Sequence, residues 1–129
     1  MRSSAASLIF RIAGIYGILV LAPQYFLEGR VGRDFPPPIT HPEDFYGFIG
    51  TALVWQLVFL VIASNPTKYR PLMWIAVLEK LAFGIPAVVL FVQGRLAPTV
   101  LVFGIIDLVL CTAFLTAIRL TRGEEPKAA

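Results

Sequence analysis

Apolar residues occur along this chain in four long blocks, roughly 5–27, 45–64, 71–93 and 99–120, separated by shorter polar stretches. At about 1.5 Å of rise per residue, a helix of roughly 20 to 23 residues covers about 30 to 35 Å, enough to cross the hydrocarbon core of a bilayer. A helix on a soluble protein alternates apolar and charged faces, whereas block 45–64 contains no charged residue. The pattern predicts an all-α membrane protein, with four antiparallel transmembrane helices in an up-down bundle and a single domain over residues 1–129.

The connections sharpen this picture. Asn65-Pro66-Thr67-Lys68-Tyr69-Arg70 and Gly94-Arg95-Leu96-Ala97-Pro98 are long enough only for tight hairpins. They make the second, third and fourth helices expected neighbours, with Pro66 ending one helix and Pro71 opening the next. The first connection, 28–44, carries Pro36-Pro37-Pro38, Pro42 and the acids Glu28, Asp34, Glu43 and Asp44. It is expected to be an external loop or short polyproline segment rather than a fifth element. Thr40 or Asp44 is expected to cap the second helix, and His41 with the adjacent acids falls short of a metal-ligand set, so no metal is expected.

Charge then gives an orientation. Placing both termini in the cytoplasm puts Arg2, Arg11, Lys68, Arg70, Arg119, Arg122 and Lys127 inside and only Arg30, Arg33 and Arg95 outside, the bias that membrane insertion favours. Because Arg11 interrupts the first block and no A-x-A cleavage site follows, that block is expected to stay as a retained anchor. The expected location is a membrane bordering the cytoplasm, multi-pass. Composition agrees: 57% hydrophobic residues and a mean hydropathy of +0.78 exceed what a chain of 129 residues can bury, so lipid is an expected partner. The net charge of +3 is scattered over loops and helix ends, which argues against nucleic acid, and the lone Cys111 excludes an internal disulfide.

Small residues at close-approach spacing mark the expected helix seams: Ala13 and Gly17, Gly47 and Thr51, Ala76, Gly84 and Ala87, and Gly104. Tyr25, Tyr46 and Tyr69 fall near span ends, where aromatic rings meet the headgroups. The anomaly is the charge inside the spans: Arg11, Glu79, Lys80 and Asp107, with Gln56 as a neutral companion. A charge at the middle of a membrane helix costs on the order of 2.5 to 3.5 kcal/mol, so these groups are expected to turn inward and pair. Counted by helical rise from the cytoplasmic ends, Arg11 lies about 6 Å deep, Gln56, Glu79 and Lys80 about 12 to 14 Å, and Asp107 about 18 Å. Lys80 is therefore expected to reach Asp107, and Arg11 either to reach Glu79 or to snorkel to the headgroups. Glu79 and Lys80, about 100 degrees apart on one helix, are not expected to share a partner, although both border the wedge of Ala76 and Phe83.

Four spans in this length, the Arg11-Ile12-Ala13-Gly14-Ile15-Tyr16-Gly17 stretch, the glycine-bearing second helix and the hairpin from Asn65 to Met73 together resemble the small bacterial DoxX-like membrane proteins. The resemblance implies a four-helix protein of the bacterial inner membrane, in a group some of whose members are associated with quinone-linked oxidoreductases. It carries no catalytic residue onto this chain.

Three functions stay open at this point. One is an accessory or partner-binding subunit of a membrane complex or a homo-oligomer, motivated by the lack of any catalytic motif and the small soluble regions. Another is a binder of, or enzyme on, a lipid-soluble compound (quinone, sterol-like or isoprenoid), its head held by Gln56, Glu79, Lys80, Asp107 and Arg11 and its tail among Phe59, Phe83 and Phe114. The third is a proton-coupled transporter gated at Pro86. No motif calls for a cofactor; a quinone or lipid is what such a polar layer would hold.

Overall fold

The structure, a computed structural model, describes residues 2–125; Lys127, counted above among the cytoplasmic charges, lies outside them. Every regular element among the described residues is helical: α1 (Arg2–Leu21), continued by a 3-10 segment (Ala22–Phe26), α2 (Glu28–Asp34), α3 (Pro42–Ser64), α4 (Arg70–Val92) and α5 (Pro98–Leu120). Four of these stretches, α1 with its extension, α3, α4 and α5, are long and apolar enough to cross a membrane. Proline at the first turn opens α3, α4 and α5, where its missing N–H has no intrahelical acceptor to lose. Gly94 ends the α4 hairpin at φ 70°, a left-handed position that a side chain would strain. Pro86 sits within α4 without dividing it.

Two local expectations are corrected. The first connection does contain a further element, α2, because Glu28 to Asp34 precedes the proline run, and its glycines Gly29 and Gly32 weaken a helix without breaking it. An Arg30–Asp34 pair one turn apart supports it. Neither Thr40 nor Asp44 caps α3: His41 holds the cap position without a side-chain bond, and its Nδ1 contacts Glu43 Oε1 at 3.3 Å. Glu43 and Asp44 do occupy the first turn, where the helix dipole favours negative charge.

Packing follows the small residues. α1 packs closely on α3 and also touches α5, while α4 packs closely on α5. A methyl added at Gly14 would lie 2.9 Å from the Gln56 carbonyl oxygen and from Leu60, and one at Gly17 would collide with the Gln56 amide. In the other seam, a methyl on Gly84 would strike Leu108, and one on Gly104 would strike Ala87. The Ser7 hydroxyl donates to the Ala63 carbonyl across α1 and α3 at 2.6 Å, and Arg70 donates through Nε and an Nη to the Ile118 carbonyl in the last turn of α5. By contrast α3 and α4, joined by the short hairpin, meet loosely. Phe48 on α3 and Phe83 on α4 meet there at 5.8 Å between ring centres, a side-chain contact in place of a glycine seam.

The seam assignments need one further correction. Gly47 and Thr51 face outward, and Gly47 has open space where a Cβ would go, whereas on α1 Gly14 joins the expected Gly17 in close approach to α3, and Gly50 of α3 meets the Tyr25 hydroxyl. Gly14→Ala is expected to lower stability by about 1 to 2 kcal/mol, because the obstacle is backbone and must move with its helix. Gly47→Ala is expected to be neutral or slightly stabilising. Thermal unfolding of both variants in one detergent checks the contrast, and equal midpoints would contradict the seam.

At the centre, Phe10 of α1, Phe59 of α3 and Phe114 of α5 are fully buried. Phe10 stacks on Phe114 at 4.2 Å, and Phe59 meets Phe114 edge-on at 5.0 Å, the offset and T-shaped arrangements that ring quadrupoles prefer. This ring cluster forms one wall of the charged centre described next.

Candidate functional site

Lys80 lies midway along α4 and is 4% exposed. Its stem turns inward over the Phe59 ring, with Nζ 5.2 Å from the ring centre. Asp107 Oδ1 on α5 accepts its hydrogen bond at 3.1 Å, and Glu79 Oε2 lies at 3.2 Å on the other side. The Glu79 and Asp107 side chains keep only 17% and 14% of their surface. The three groups form one compact centre, and the ammonium also draws on the ring's negative face.

The sequence reading foresaw the link between Lys80 and Asp107 but not its third member. Glu79 reaches its own neighbour, because the lysine stem is long enough to bring the ammonium back toward the Glu79 carboxylate despite the angle between the two positions. No pair forms between Arg11 and Glu79: Arg11 is exposed on α1 and makes no ion pair among the described residues. Two separate pairs are thus replaced by a triad of two carboxylates and one ammonium, with the arginine elsewhere.

Gln56 stands apart from the triad in its bonding. It is buried on α3, its Nε2 donates to the Ala52 carbonyl at 2.8 Å, and its amide packs against Gly17. Its Oε1 is buried without a hydrogen-bond partner, and so is Glu79 Oε2. For Glu79 this means that the 3.2 Å approach to Lys80 is a charge contact lying off the hydrogen-bond direction. A buried carboxylate oxygen of this kind retains a lone pair that a donor can use. Phe83 borders α3 through Phe48, while Phe59 and Phe114 are committed to the central ring cluster.

Tyr16 is a residue that sequence reasoning passed over. It is half-buried on α1, within electrostatic range of Asp107. It falls inside the stretch from Arg11 to Gly17 used for the resemblance, but nothing in a run of apolar residues shows which way a tyrosine points. Cys111 is buried one turn beyond Asp107.

No family model, curated protein or solved structure matches this chain. The chemistry of the centre rests on its own geometry: two acids, one base and an aromatic wall.

Proposed function

We propose that the chain is a multi-pass protein of the inner (plasma) membrane whose Glu79–Lys80–Asp107 centre receives the polar head of a lipid-soluble molecule bearing a hydroxyl or amine. The observation that carries this reading is that two largely buried carboxylates share the single Lys80 ammonium, with Glu79 Oε2 held by a charge contact rather than a well-directed hydrogen bond. At membrane depth such sharing is unfavourable, and a bound hydrogen-bond donor relieves it. Quinol, sterol-like and isoprenoid alcohol heads have that chemistry, and kinship with DoxX-like proteins is part of the same proposal.

An antiparallel up-down bundle with cytoplasmic termini accompanies it. Ser7 meets Ala63, Gly17 meets Gln56 and Tyr25 meets Gly50, so α3 is met in reverse order along α1. Arg70 with Ile118 and Lys80 with Asp107 do the same for α4 and α5. The loop-side charges support the orientation.

Glu79→Gln and Asp107→Asn test the centre. Each is expected to lower retention of a quinol, a sterol or an isoprenoid alcohol by about tenfold, the effect of one hydrogen bond to a charged group. The fold should survive in both. Native mass spectrometry of the purified protein with this panel reads the outcome, and undiminished retention in both variants rejects the site.

A second reading, the partner-binding subunit, is supported by a separate observation. Gly47 and Thr51 point outward into a shallow groove of about 440 Å³ bordered by Tyr46, Gly50, Val54 and Trp55. Outward small residues one turn apart suit close approach by another membrane helix. Gly47→Leu is expected to remove any assembly that survives mild detergent without affecting the monomer; a chain that runs alone before substitution counts against this reading.

A further inference from the structure

A second polar feature lies apart from the triad, where the start of α1 meets the turn between α3 and α4. A groove of about 690 Å³ opens there, lined by Ser3, Ser4, Ser7 and Arg11 of α1, by Ser64 at the end of α3 and by Thr67 in the turn that follows. Arg11 is its only charged lining group, and it has no carboxylate partner among the described residues. The acids of the described chain lie in the first connection, in the triad, and at Glu124 and Glu125 after α5. Ser7 and Ser64 already donate to the Ala63 and Val61 carbonyls, so the groove combines a guanidinium without a carboxylate partner with the hydroxyls of Ser3, Ser4 and Thr67 as donors, a composition that recognises phosphate.

The surroundings indicate what bears that phosphate. Leu8, Ile12, Ile15 and Leu19 follow one another along the exposed face of α1, with Arg11 set among them. On α3, Leu57 and Val61 are exposed on the way to Ser64. An occupant whose anionic group sits on Arg11 would therefore lay any attached chain along apolar side chains. A free phosphate has no use for that face, whereas a phospholipid uses both parts. Arg2 and Lys68, exposed on either side of the groove in sequence, add to the positive field that draws anionic headgroups.

We propose that this groove is a binding site for the phosphate headgroup of an anionic phospholipid, with Arg11 as its charged anchor. The proposal explains why an arginine is kept inside an apolar segment without an internal partner: its counter-ion is supplied by the lipid.

The test uses the full chain, delipidated in neutral detergent and offered phosphatidylglycerol and phosphatidylcholine with identical acyl chains. Native mass spectrometry should show phosphatidylglycerol retained about tenfold more strongly, as expected for a hydrogen-bonded charge pair. Arg11→Gln should abolish the preference, and Arg11→Lys should keep part of it. Ser4→Leu, a substitution at an exposed helical position that fills the groove and leaves every charge in place, should also weaken it. Equal retention of the two lipids by the unsubstituted protein overturns the proposal even if Arg11→Gln fails to fold, and so does a preference that survives Arg11→Gln or Ser4→Leu. Inorganic phosphate alone, followed by phosphorus NMR, distinguishes the two sources: binding as tight as that of phosphatidylglycerol overturns the lipid assignment, and much weaker binding supports it.

Discussion

Lys80→Met is expected to destabilise the fold by about 3 to 5 kcal/mol, the usual result of removing one partner from a buried ion cluster. Methionine has nearly the length of lysine and fills irregular space well, so packing around Phe59 changes little. The loss is electrostatic, since Glu79 and Asp107 remain at the bundle's middle with no cation. The same reasoning predicts a rescue. Combining Lys80→Met with Glu79→Gln and Asp107→Asn removes both orphaned charges, and replacing a whole buried cluster by neutral groups is often neutral or stabilising. Thermal unfolding in detergent should thus show a much lower midpoint for the single variant and substantial recovery for the triple one. If Lys80→Met unfolds at the unsubstituted temperature, the two carboxylates do not depend on the shared ammonium, the dependence on which the ligand proposal stands.

Phe114→Ala is the second large effect, and its size depends on which solvent surrounds the bundle. In a water-soluble protein the cost would include the transfer of a phenyl ring to water, but a ring that leaves this core meets lipid, so that part largely vanishes. The cavity term remains: about 100 Å³ of lost side chain at about 24 cal/mol per Å³ gives roughly 2.4 kcal/mol. Phe114 stacks on Phe10 and meets Phe59 edge-on, so two rings lose a neighbour together. Phe103→Ala, on the exposed face of the same helix, should cost far less. Comparing unfolding midpoints of the two variants checks this, and similar losses would mean that the ring cluster is not the core.

The helices were largely legible before any coordinates, because crossing a bilayer requires apolar length and that is written directly in the order of residues. Pro71 marked the start of α4 for an equally local reason, whereas Pro42 and Pro98, assigned to the connections, turn out to be the first residues of α3 and α5. Part of the candidate site was legible too: a lysine and an aspartate at similar depth on successive helices have few other places to go, and Lys80 meets Asp107.

What the sequence left open is how each helix is turned and which neighbour it grips. A helix that is apolar all round has no polar stripe to mark its outward face, so Gly47 and Gly50 look alike in the chain although one faces open space and the other meets Tyr25. The same gap concealed Tyr16, sent Gln56 to Gly17 rather than to the triad, and left the place of Arg11 undecided. Hairpin length brought α3 and α4 together in sequence, yet they meet loosely, through rings such as Phe48 and Phe83, while glycine lets α1 reach α3 and α5 reach α4. Sequence alone determined the number of membrane-length helices, their approximate lengths and the charges they carry, because those follow from composition along one dimension. Only the tertiary structure decided that Glu79 joins Lys80 and that Arg11 turns outward, because in lipid the facing of a helix is set by close contact between side chains rather than by avoidance of water.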